Sequence, residues 1–118
     1  MTLTETLYTK TARLSSSSSE AFSKAYLNKS PSYFRTIKAQ GRELNHRNLA
    51  TLLNNVSQAA DFHLQSAQNI PQLKSYAAKW KDWEDELASM FSEHLINELA
   101  LNDGAKRLVR KHFVQMLT

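Results

Sequence analysis

No cysteine occurs among the 118 residues, and glycine and proline appear only twice each. Without thiols the chain has neither disulfides nor thiolate metal ligands, which leaves the compartment open. So few turn residues, with no Val/Ile-rich runs, argue against a strand-and-turn fold and for a mostly helical one. No apolar stretch approaches the roughly 20 residues that span a bilayer. The opening MTLTETLYTK lacks the charged and apolar regions of a signal peptide, so a cytoplasmic protein without a membrane partner is expected. Catalytic signatures are absent too: no P-loop, no GxGxxG, no HExxH and no GxSxG. The histidines at 46, 63, 94 and 112 lack ligand spacing among themselves. His94 and its neighbour Glu93 point to different faces of a helix. Asp82, Glu84, Asp85 and Glu86, interleaved with Lys79 and Lys81, read as a solvated helix face. The expectation is no enzyme, no metal and no cofactor.

Hydrophobic residues make up 42% of the chain, enough for one compact domain or one small domain with a helical extension. The net charge of +4 is unevenly placed. Residues 1–60 carry eight Lys/Arg against three Asp/Glu, and residues 61–118 carry seven against eight. The basic excess therefore lies in the first half, where it suits a polyanionic partner.

That half is organised around residues 30–56, SPSYFRTIKAQGRELNHRNLATLLNNV. Ser30-Pro31 is a helix start signal, because a serine hydroxyl caps free N–H groups and proline at the first helical position loses no hydrogen bond. Tyr33, Phe34 and Ile37 share an inner face, with Arg35, Thr36 and Lys38 elsewhere round the cylinder. Gly41 supplies the stop. After a polar turn, Leu49, Leu52, Leu53 and Val56 form one face of another helix. Upstream, residues 3–14 predict a weakly amphipathic helix bearing Leu3, Leu7, Tyr8 and Leu14, capped by Thr2 or Thr4. The serine run 15–19 is a loop whose last serines cap residues 19–28. There Ala21, Phe22, Ala25 and Tyr26 are expected to face inward.

The order SSEAFSKAYLNKSPSYFRTIKAQGR followed by NLATLLNNV resembles the phage-repressor-type (lambda-repressor-like, Cro/repressor) helix-turn-helix family. Ser30, Pro31, Ser32, Tyr33, Phe34, Ile37, Gly41, Leu49 and Leu52 carry the resemblance, which covers about the first half of the chain. Leu27-Asn28-Lys29 stands where the family usually has a glycine in the turn. The resemblance implies that residues at the start of the recognition helix, Ser32, Tyr33 and Thr36 with Arg35 close by, face base edges of double-stranded DNA. Tyr33 reads equally well as a core aromatic. Lys24 and Lys29 would lie against phosphates, as would Arg42, His46 and Arg47 in the following loop, and Lys38 adds to the basic outer positions.

In the second half, Pro71 marks a boundary at Ile70, and residues 58–69 form a further helix or the tail of the preceding one. Residues 72–102 then hold the longest helical pattern. Leu73, Tyr76, Trp80, Trp83, Leu87 and Met90 step by three and four, and the stripe drifts through Phe91, Leu95 and Leu99. Asn102-Asp103-Gly104 signals a turn. A last helix, residues 105–117, sets Leu108, Val109, His112, Phe113 and Met116 to one side, beside the cations Lys106, Arg107, Arg110 and Lys111. The sequence thus predicts an all-α fold, with a helix-turn-helix domain over 1–70 and a helical hairpin over 71–118 for oligomerisation or partner binding. Tyr76, Trp80, Trp83, Leu87, Met90, Phe91 and Leu95 would form a homodimer interface or complete a monomer core. The expected function is a sequence-specific DNA-binding regulator, a repressor acting by operator occupancy. The alternative is a helical interaction or assembly protein, such as a phage-type packaging or structural adaptor or an antitoxin-like binder.

Overall fold

A computed structural model describes residues 2–98 and 101–117 of the chain, with the side chains of 113–117 outside that description. Leu99 and the side chains of Phe113 and Met116 therefore lie outside the described residues. Among those described there are six helices and no strands, an all-α fold. Helix α1 is Leu3–Ser15, capped by Thr2, whose side chain accepts from the Glu5 N–H. Helix α2 opens as an α-helical turn, Ser19–Ala21, capped by Ser18, and continues as a π-helical segment, Phe22–Tyr26. Helix α3 is Tyr33–Ala39. Helix α4, His46–Asn69, runs unbroken through the region where a separate helix was one of two expectations. A 3₁₀ turn, Pro71–Leu73, leads to α5, Lys74–Glu98, and α6 is Asp103–Leu117.

Several boundaries differ from the sequence reading for local reasons. Asn45 caps α4 by accepting from the Asn48 N–H, so His46 and Arg47 form its first turn rather than a loop. Asn102 caps α6 by accepting from the Ala105 N–H at 2.8 Å, which makes Asp103 and Gly104 helical rather than a free turn. Residues 19–28 face inward through part of the expected set: Phe22 is fully buried and Tyr26 half-buried, but Ala21 and Ala25 are exposed and Ser23 is buried instead.

One core joins the two halves. Leu7, Phe22, Leu27, Phe34, Ile37, Leu49, Leu52 and Val56 pack in the same cluster as Trp80, Trp83 and Leu87. The core does not divide at residue 70. The closest helix pair is α4 with α5, antiparallel across the Pro71 turn, where Ala60, Ala67 and Ala77 are buried and let the backbones approach. This hairpin lies one helix upstream of the one expected within 71–118, whose helices α5 and α6 also meet, through Glu93 and Arg110. Trp80, Trp83 and Leu87, expected as a possible dimer interface, are 1%, 3% and 0% exposed within the single chain, so they belong to its core. Tyr76, Met90, Phe91 and Leu95 are half-buried beside them.

Aromatic rings continue the core as a chain. Tyr8 stacks on Phe34 at 4.6 Å, and Phe22 meets both edge-on. Phe22 leads to Tyr26, Tyr26 stacks on Trp80 at 6.3 Å, and Trp80 stacks on His63 at 5.3 Å. Helix α1 is tied to α5 by the Trp83 indole N–H, which donates to buried Thr11 Oγ1 at 3.1 Å, and by the Tyr76 hydroxyl, which donates to the Leu14 carbonyl. No described helix is long and apolar enough to cross a membrane.

Candidate nucleic-acid interface

Helix α3 has only seven residues, too few to hold its shape in water unaided, so its neighbours must fix it. Its own Ser32 makes no side-chain cap bond. The Ser30 carbonyl instead accepts from the Tyr33 N–H at 3.0 Å, forming a lead-in turn through Pro31. The next free donor, the Phe34 N–H, is satisfied from outside the helix. Ser23 of α2, fully buried, accepts it at 2.9 Å while donating to the Ser19 carbonyl at 3.0 Å. One hydroxyl thereby joins α2 to the start of α3. Its burial explains why α2 turns the Phe22–Ser23 side inward.

Asn28 occupies the tight point of the connection at φ 55°, in the left-handed region. Asparagine is among the few non-glycine residues that adopt this conformation readily, so the turn closes here without a glycine. The Lys29 N–H returns to the Ser23 carbonyl at 2.9 Å. Asn55 of α4 donates through Nδ2 to the Tyr26 carbonyl at 2.9 Å and to Asn28 Oδ1 at 3.3 Å. At the far end of α3, Gly41 has φ 65°, and the Arg42 N–H bonds back to the Ile37 carbonyl at 2.9 Å, a Schellman stop. The following loop is fastened to α1. Glu43 accepts from the Thr4 N–H at 2.8 Å and from the Thr4 hydroxyl, and the Leu44 N–H donates to Thr4 Oγ1 at 3.1 Å.

Held in this way, α3 buries Phe34 and Ile37 and leaves Ser32, Arg35, Thr36 and Lys38 exposed. Helical periodicity places Ser32, Arg35, Thr36 and Ala39 on one outward strip. Lys38 lies to its α1 side, where Arg35 and Lys38 line a shallow cleft with Glu5, Thr9 and Ser19. Thr36 Oγ1 donates to the Ser32 carbonyl at 3.0 Å. Arg35 meets Glu20 at 3.2 Å with both side chains about 60% exposed, a contact weak enough to yield to a stronger anion. Tyr33 does not stand on the strip: it is half-buried, and its hydroxyl accepts from Asn48 Nδ2 at 2.7 Å. Lys29 lies over the Tyr33 ring at 5.5 Å. Lys24, Lys29, Arg42 and Arg47 are all exposed.

His46 opens α4 with Nδ1 3.5 Å from Glu98 Oε2, and His94 Nε2 lies 3.0 Å from Glu98 Oε1. These contacts bring the start of α4 and the end of α5 together. Among the described residues, no group of three His, Asp or Glu side chains is arranged to hold a metal ion. Sequence reasoning picked out the outward cations but missed Ser23, Asn28, Asn48 and Asn55, the groups that orient the helix bearing them. The one available signal was polar residues at otherwise core-facing helical positions. No curated protein and no solved structure matches the chain. Residues 5–105, from α1 into the start of α6, match a family model, and the chain belongs to that family of unknown function, DUF6626.

Proposed function

We propose that the chain is a sequence-specific binder of double-stranded DNA, a transcriptional regulator of helix-turn-helix type that acts by operator occupancy in the compartment where the DNA lies. The observation that carries this reading is the outward strip of α3. A short helix, fixed at both ends by its neighbours, presents Ser32, Arg35 and Thr36 to solvent with Lys24, Lys29, Lys38, Arg42 and Arg47 exposed around it. Arginine pairs two-pronged with guanine, and Ser and Thr hydroxyls accept or donate to either base type. The surrounding lysines and arginines supply phosphate neutralisation, which sets affinity without setting sequence. Tyr33 supports the strip from below rather than reading bases.

Reading two half-sites calls for a pair of chains. Trp80, Trp83 and Leu87 are used within one chain, so a homodimer would rest on other surface. The described large apolar residues left exposed on the α4–α5 arm are Phe62, Leu64 and Ile70, near its Pro71 end. The assembly-protein alternative would lead if the tryptophan stripe were a conspicuous exposed apolar surface; both tryptophans are buried, and it ranks second.

The test is duplex binding as a function of salt, with Arg35→Ala and Lys38→Ala as variants. Affinity that falls steeply with salt and drops in either variant supports the reading. No binding by the wild-type chain at low salt would sink it.

A further inference from the structure

The charge of the chain alternates along its length. Residues 61–98 carry three Lys/Arg against seven Asp/Glu, and residues 99–118 carry four against one. Three of the four acids of the α5 midsection are already engaged: Lys81 contacts Glu84 at 2.8 Å and Asp85 at 3.3 Å, and Lys10 pairs with Glu86. The cations of α6 are used differently. Arg110 grips Glu93 through Nε at 2.7 Å and Nη2 at 2.9 Å, which pins α6 against α5. Arg107 and Lys111, one turn apart, are exposed and Lys106 half-exposed, and among the described residues none of the three has an ion-pair partner. The placement of α6 matters as much as its charge. It begins a few residues beyond Glu98, and Glu98 lies 3.5 Å from His46 at the start of α4. The helix therefore sets out from the end of the α4–α5 pair that carries Arg47 and follows the Arg42 loop.

We propose that α6 is a second DNA-contacting element, in which Arg107 and Lys111, with Lys106, neutralise backbone phosphates flanking the site that α3 faces. This rests on the DNA-binding reading and extends it. The contact would be sequence-independent, adding affinity and salt dependence but no base discrimination. Other occupants fit less well. An anionic membrane surface would need an apolar face to bury, and among the described side chains of α6 the large apolar one left exposed is Leu108, between Arg107 and Lys111. In the acidic stretch of a second copy, Glu84, Asp85 and Glu86 are already paired with that copy's own lysines.

The experiment measures affinity of the full chain for a random-sequence duplex across a salt series, for wild type, Arg107→Gln/Lys111→Gln and the arm control Lys74→Gln/Lys79→Gln. Each lost phosphate contact lowers the slope of log K against log salt by about 0.9, so the α6 variant should lose about 1.8 from its slope. Between 50 and 200 mM salt its affinity should then fall about tenfold less than that of wild type. The control should match wild type. Binding by wild type that Arg35→Ala weakens, with an unchanged slope in the α6 variant, overturns this proposal and leaves the α3 reading standing. A slope loss accompanied by a change of oligomeric state in sedimentation also overturns it, because α6 would then join copies of the chain. Absence of wild-type binding overturns both.

Discussion

Ser23 is the residue on which the orientation of α3 most depends, because its hydroxyl is the acceptor for the buried Phe34 N–H. Ser23→Ala leaves that donor unpaired, at a cost of about 1–3 kcal/mol. Urea denaturation should register this, and a loss under about 0.5 kcal/mol would mean that the N–H finds another acceptor. The two tryptophans offer a paired comparison. Both are buried, but Trp83 donates to Thr11 whereas the Trp80 indole N–H has no acceptor among the described residues. Trp83→Phe breaks a buried hydrogen bond and Trp80→Phe removes an unpaired donor, so the first should destabilise by about 1 kcal/mol more than the second. Equal midpoints would show that stacking on Tyr26 and His63 offsets the Thr11 bond, and the prediction would fail. His63 carries a pH dependence. Burial lowers its pKa below the ordinary 6.5, so the folded state favours the neutral ring. Its stabilising effect is complete above that value and declines as pH falls through the lowered one. His63→Gln should flatten the dependence of the thermal midpoint over this window.

At the scale of elements, α6 is held on α5 by a contact that acid should release. Arg110 holds the Glu93 carboxyl below its ordinary 4.5 by hydrogen bonding and charge. A carboxylate with a depressed pKa stabilises above its unfolded value and ceases to do so as pH drops through the folded one. Amide chemical shifts of α6 should therefore move away from their docked values as pH falls below 4.5, while those of α4 hold. In Arg110→Gln the displaced shifts should already be present at neutral pH. The elements that could be read from sequence are those governed by local chemistry. The Thr2 cap, the Ser18 cap, the Gly41 stop and the Pro71 break all depend on residues within a few positions. On α2, Phe22 and Tyr26 were legible as inward, but the burial of Ser23 was not, because it is set by a hydrogen bond to a residue eleven positions away. The left-handed backbone at Asn28 was not legible either, because asparagine adopts it only where the surrounding turn demands it. The outward cations of α3 were legible from helical period alone. The α4 start was misjudged because Asn45, a capping residue, sits inside a stretch that reads as uniformly polar loop.

For the whole molecule, periodicity along α5 marked Trp80, Trp83 and Leu87 as a face that needs covering but could not say by what. The cover is α1, α2 and α4 of the same chain. It follows that residues 1–70 expressed alone would expose the α4 side that α5 buries. That fragment should lack the dispersed amide spectrum of the intact chain, whereas a well-folded fragment would restore the division at residue 70. The chain of rings from Tyr8 to His63 carries a practical consequence. Both indoles sit on α5 where the basic head meets the long helical arm, and no other fluorophore of their kind occurs in the sequence. Intrinsic emission is therefore a built-in optical gauge of that joint. A red shift without loss of helical circular dichroism would report the head parting from the arm before any helix melts, with no label attached.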